Sequence, residues 1–287
     1  MDTNKNSYTI IYATVMVVIV AAVLAFVSSS LKEKQQKNID IEKQLSLLSA
    51  VGLGADANSA PDKTAYVEEE FSKYIKKALV VNGNGDVVSQ SENRASDPSA
   101  IIKGEAFKID LKTQYDEMKR ILATPGASKE LVSSLKLPVF VCDLPNGESV
   151  YLFSCYGAGL WGPIWGYIAL RSDFNSIYGA IFAHKGETPG LGAEIASPHF
   201  YEQFKGKEIF NENTLASVQV VKGGATPGDI HGVDAISGGT ITSKALEGTI
   251  KSWLEFYVPY LTKIREIAAT PMPIEAEVAA DSTNVTK

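Results

Sequence analysis

The chain is poor in cysteine: Cys142 and Cys155 are its only two among 287 residues. No CxxC pair and no Cys/His metal spacing occurs, so no metal site is expected. A two-residue turn at Asn146-Gly147 would pair position 142 with 151 rather than 155. That argues against a disulfide across the hairpin and for two small buried thiols. A basic stripe is also missing. Net charge is −6 and the pI about 5.3, which excludes a nucleic-acid partner held by phosphate contacts. No internal repeat and no regular strand–helix alternation is present, so a doubly wound fold is not expected.

The nucleotide signatures are incomplete. GAGLWG (157–162) has the G-x-G-x-x-G spacing, but Pro163 and a strand-like run follow where a helix should open. The plainer reading is a glycine-rich turn between strands. GGTITSK (238–244) lacks the glycine that a phosphate-binding loop places before its lysine.

What is present begins at the N-terminus. No charged residue lies between Lys5 and Lys32, and TIIYATVMVVIVAAVLAFV (9–27) is nearly all apolar. About 20 such residues span a bilayer as a helix, and Tyr8 and Tyr12 suit the interface. A secretory signal has a shorter apolar core and a small-residue cleavage site, so a retained anchor is expected over 9–30. Residues 1–8 form a short cytoplasmic N-terminus in this reading. Lys32, Lys34 and Lys37 follow the span, and by the positive-inside rule would keep the large domain in the cytoplasm. Glu33 intervenes, and long domains translocate largely regardless of charge.

Residues 31–63 read as a membrane-proximal polar helix and a Gly/Ala/Ser/Pro-rich linker (51–63). The domain proper spans 64–268. An amphipathic helix is expected over 65–77, a hairpin over 78–90 around Asn-Gly-Asn-Gly, and a helix near 114–122. A second hairpin (137–157), a strand (164–173) and a strand-like run (216–224) follow. Leu246, Ile250, Trp253, Leu254, Tyr257, Val258 and Leu261 recur at helical spacing, so 244–261 has one buried face. Pro259 should weaken its last turn. The fold class is therefore α+β, a mixed or antiparallel sheet with packed helices behind one transmembrane helix. Residues 269–287 read as a disordered tail.

Two polar stretches carry chemistry. HKGETPGLGAEI (184–195) is a glycine-rich loop whose backbone can approach a planar ligand closely. SGGTITSK (237–244) sets glycines and hydroxyls before a helix. Free N–H groups and the positive end of a helix dipole make an anion site suited to phosphate. The alternative is a Gly turn with Ser243 as helix N-cap. His231, nine residues before Thr240, reads as structural more readily than as catalytic.

DAISGGTITS (Asp234 to Ser243) is similar to the flavinylation motif D-x-x-[ST]-G-A-[TS]. With GETPGLGAEI, GAGLWGPIWGYIAL and the N-terminal span, it resembles the C subunit of the Na+-translocating NADH:quinone oxidoreductase, up to about residue 268. The family's usual alanine is Gly239 here. The flavin motif alone also fits the G subunit of the Rnf-type electron transport complex.

The resemblance implies FMN, attached through a phosphoester to the Thr240 hydroxyl by a flavin transferase that takes it from FAD. Thr242 and Ser243 are competing hydroxyls on chemistry alone; Thr240 occupies the family's modified position. Asp234, Ser237, Gly238, Gly239, Thr242, Ser243 and Lys244 complete the motif. Thr188, Gly190, Leu191 and His231 match flavin-pocket positions. No catalytic residue is implied, and no NADH or quinone site. The expected role is an electron carrier between NADH and quinone, coupled to Na+ export. Its partners would be the A, B, D, E and F subunits of a six-subunit pump in the bacterial inner membrane, with this domain periplasmic. The rivals are the Rnf-type subunit and a tethered extracytoplasmic binding domain without flavin.

Overall fold

The computed structural model describes residues 6–269. The start of the short N-terminus (1–5) and the expected tail from 270 lie outside the described residues. Helix α1, Asn6–Ser49, is a single helix of 44 residues, about 66 Å long at 1.5 Å per residue. The apolar span and the polar helix expected after it are continuous, because no Gly or Pro interrupts the polar run. Its apolar part is uncovered by protein: Ile11, Val17 and Phe26 are all exposed. It is long and apolar enough to cross a membrane. Its far end docks on the domain through buried Ile41, Leu47 and Leu48. Gly52 and Gly54, both at positive φ, turn the chain away after it.

Helix α2 (Lys63–Tyr74) is capped by Asp62, whose side chain accepts from the Ala65 N–H. The helix expected to reach 77 stops at Tyr74, because Ile75 is already buried in strand β1 (Ile75–Val81). Strand β2 (Val87–Glu92) completes the expected hairpin. Short helices α3 (Ala100–Lys103) and α4 (Glu105–Lys108) precede α5 (Leu111–Leu122) and α6 (Lys129–Ser133). Strands β3 (Leu137–Asp143), β4 (Ser149–Ala158), β5 (Pro163–Leu170) and β6 (Ile177–His184) follow. Helix α7 (Pro198–Tyr201), a minimal hairpin β7 (Phe210–Asn211) and β8 (Thr214–Leu215), then β9 (Gln219–Val221) and β10 (Gly232–Asp234) lead to α8 (Thr240–Ala269).

The main sheet has six strands in the order β2-β1-β3-β4-β5-β6, all neighbours antiparallel. Both faces are covered, and the period-2 alternation of each strand sorts its side chains between them. Val139, Phe153, Cys155 and Ile168 pack with the Leu246–Leu261 face of α8. Phe140, Cys142, Leu152 and Tyr167 pack with the end of α1, with Phe71 and with Phe107. The two cysteines thus lie on opposite faces of the sheet, and both are free. Cys142 pairs with Val150, one residue from the expected register, since five residues rather than two separate the paired Asp143 and Ser149.

Three further expectations shift. The run at 216–224 yields only the short β9, which pairs in parallel with β10. The α8 helix begins at Thr240 and continues past Pro259 to Ala269. Pro259 forfeits one ladder bond, and the β1–β2 turn packs against it. A Cβ on Gly85 (φ 80°) would lie 2.5 Å from the Pro259 carbonyl carbon. Strand β6 had no counterpart among the elements expected from the sequence.

Candidate functional site

The α8 helix opens from a tight turn. Gly238 has φ 72°, and the Gly239 N–H donates to the Ile236 carbonyl at 3.0 Å. The Ser243 N–H is bonded to the Gly239 carbonyl at 3.0 Å. The N–H groups of Thr240, Ile241 and Thr242 before it have no acceptor among the described residues. No acidic residue occupies this first turn. Unpaired amides and the helix dipole together favour a negative group here.

The hydroxyls of the stretch separate sharply. Thr242 is 1% exposed, and its Oγ1 donates to Glu187 Oε2 at 2.6 Å. Ser243 is fully buried, and its Oγ donates back to the carbonyls of Gly239 and Thr240. It is therefore not the N-cap that the alternative reading made of it. Thr240 is half-buried, Ser237 is exposed, and neither hydroxyl has a partner among the described residues.

Beside the α8 entry lies a small cleft of about 70 Å³; Thr240 itself is not among the residues that line it, though its neighbours Gly239 and Ile241 are. Its walls are the β4–β5 hairpin tip (Leu160, Trp161), the loop after β6 (Glu187, Thr188, Leu191, Gly192) and the α8 entry (Gly238, Gly239, Ile241, Thr242). Clefts that enclose a whole small molecule measure about 300–1,000 Å³, so a ring here would be only partly covered. Trp161 (69%), Ile241 (64%), Leu160 (47%) and Leu191 (41%) leave apolar surface open around it.

Glu187 ties these walls together. It is 4% exposed. Its Oε1 accepts from the Trp161 N–H at 2.9 Å, while Oε2 holds Thr242. Burial pushes its pKa up. The Thr242 hydroxyl and the backbone amides of Trp161, Gly162 and Leu160 outweigh that and leave it below the ordinary carboxylate value. Glycines make the room: a Cβ on Gly159 would come within 2.5 Å of Oε1, and one on Gly192 within 2.6 Å of Oε2.

Of the residues expected at the site, Thr188, Leu191, Gly238, Gly239 and Thr242 line the cleft. Gly190 (φ 72°) turns the loop nearby, its N–H bonded to Glu194. His231 does not line the cleft; its Nδ1 lies 2.7 Å from the Glu208 carbonyl. Asp234 accepts from the Ala225 N–H and braces the preceding loop, and Lys244 pairs with Glu247 at the surface. Glu187, Leu160, Trp161 and Ile241 were not expected from the sequence. The signal for the hairpin tip was the glycine pair in GAGLWG, whose spacing serves close packing rather than a nucleotide.

These features define a sheet-and-helix domain carried on one long apolar helix, with a small cleft beside an unpaired helix N-terminus. Residues 159–255, which contain all three walls of the cleft, match the family model for the FMN-binding domain. The C subunit of the Na(+)-translocating NADH-quinone reductase of Vibrio campbellii is 31% identical over 82% of this chain and 86% of its own. The chain belongs to the family of that subunit. The Vibrio anguillarum C subunit is 30% identical over 93% of this chain and 98% of its own. A crystal structure of the Parabacteroides distasonis C subunit covers 81% of this chain and 97% of its own, at 37% identity and a TM-score of 0.63.

Proposed function

We propose that this chain is the electron-relaying C subunit of a Na+-pumping NADH:quinone reductase, with FMN joined through its phosphate to Thr240 Oγ1. The observation that carries the attachment is the contrast among the hydroxyls. Thr242 and Ser243 are buried and engaged, while Thr240 is free at an uncapped helix N-terminus. The residues present fit the group. The unpaired amides of the α8 entry suit a phosphodiester, and the exposed apolar side chains of Leu160, Trp161, Leu191 and Ile241 suit a ring. FMN, when bound, supplies the electron-carrying chemistry.

The chain's own part is to hold the ring against these walls. A shallow cleft leaves the ring edge accessible to partner subunits, as an electron carrier requires. Thr188 and Leu191 form the loop-side wall in this reading, and Gly238 and Gly239 let the backbone approach. In this reading α1 anchors the domain in the inner membrane, with the A, B, D, E and F subunits as its partners and the domain on the periplasmic face. A covalent tether also suits a compartment without a pool of free FMN. Relatives named as C subunits of the reductase favour this over the Rnf-type subunit, and the FMN-binding match favours it over a flavin-free binding domain.

The test is co-expression with a flavin transferase. A denatured chain that fluoresces under ultraviolet light on a gel is expected. A colourless band, with the transferase active on a control substrate, contradicts the reading.

A further inference from the structure

We propose that Glu187 sets the charge of the site: its buried carboxylate holds the flavin couple at a lower potential than a neutral residue there would. This rests on the reading that FMN occupies the cleft beside the α8 entry.

The geometry carries it in three steps. First, Glu187 is the charged residue among those lining the cleft, and it is 4% exposed. Second, its place is fixed. Its two oxygens are held by the Trp161 N–H and the Thr242 hydroxyl, on opposite walls of the cleft. Gly159 and Gly192 close around those same oxygens. Third, no lysine, arginine or histidine forms an ion pair with it among the described residues. Its donors are neutral dipoles. They keep it ionised but leave its net charge in place.

Electrons entering the ring add negative charge beside that fixed anion, and like charges disfavour one another. A unit charge within about 10 Å, at an effective dielectric near 20, weighs on such an equilibrium by on the order of tenfold.

The experiment is a spectroelectrochemical titration of the flavin-loaded full chain in detergent, with mediators supplying and removing the electrons. Glu187→Gln keeps the shape and removes the charge; Glu187→Met is a second neutral variant of similar volume. Glu202→Gln is the control: it removes an exposed carboxylate that does not line the cleft. Loading at Thr240 is checked by peptide mass, and folding by near-ultraviolet circular dichroism. At the wild-type midpoint potential, either neutral variant should show a ratio of reduced to oxidised flavin on the order of tenfold higher. Glu202→Gln should stay within about twofold of wild type, since the charge beside the cleft remains. A folded, Thr240-loaded neutral variant with an unchanged or lowered midpoint overturns this inference alone. A wild-type chain carrying no flavin at Thr240 overturns the attachment reading and this inference with it.

Discussion

The indole Nε1 of Trp253 donates to the carbonyl of Tyr156 at 2.7 Å, joining the middle of α8 to strand β4. Trp253 is 1% exposed and packs beside Tyr257, whose hydroxyl donates to the Pro138 carbonyl at 2.8 Å. Two hydrogen-bonded aromatic anchors thus fix the helix that presents Thr240. Trp253→Ala should cost about 3–5 kcal/mol through the cavity it leaves. Urea unfolding of the apo chain checks this; an unshifted midpoint would mean α8 is not held through this face.

The cysteines should be inert in the folded chain. Burial pushes Cys142 and Cys155 each up to about 12, so neither forms a thiolate near neutral pH. A thiol reagent at pH 8 should label neither until denaturant is added, and then both. Rapid labelling of the native chain would contradict the placement of these residues on two covered sheet faces.

Thr242→Ala should separate stability from attachment. It leaves Glu187 Oε2 without its hydroxyl donor, at a cost of about 1–3 kcal/mol, yet FMN should remain on Thr240. The pH dependence follows from the same bond. Glu187 has a folded pKa below its unfolded value, so it contributes stability above the unfolded pKa. That contribution is lost as pH falls through the folded value. Removing the Thr242 donor raises the folded pKa, so acid unfolding should begin at a higher pH than in wild type. An acid midpoint that stays put would show that this hydrogen bond does not hold the carboxylate down.

Topology is decided by a reporter. A C-terminal fusion to an enzyme active only in the cytoplasm should be silent if the domain is periplasmic. Activity would vindicate the three lysines after the span over the family resemblance.

The elements legible in the sequence were those whose periodicity had no competitor. These were the uncharged span, the two Gly-punctuated hairpins and the apolar stripe of α8. Strand β6 was hidden because Gly179, Ala180 and Ala183 dilute its apolar pattern. Gly179 is nonetheless required there: a Cβ would strike the Ala50 carbonyl where the end of α1 docks. The apolar span and the polar helix leaving the membrane were both legible, and α1 joins them because composition changes at residue 30 while helix propensity does not. Helix α8 outran its Pro259 because the packing of its buried face outweighs one missing hydrogen bond. Glu187 was invisible for a different reason. A carboxylate in a Gly/Pro loop reads as solvated, and only the fold brings Gly159, Gly192 and Thr242 around it. The Thr240 motif was recognisable in sequence, but the reason to prefer it over Thr242 and Ser243 is burial, a tertiary property.

The most direct measurement is peptide mass mapping of Thr240→Ala beside wild type, both co-expressed with a flavin transferase. Removing one partner-free hydroxyl at a helix entry costs at most about 0.5–2 kcal/mol, so the variant should fold with wild-type circular dichroism. Wild type should carry one FMN on the 234–244 peptide, and the variant none. A folded Thr240→Ala chain that still carries stoichiometric covalent FMN would contradict the account.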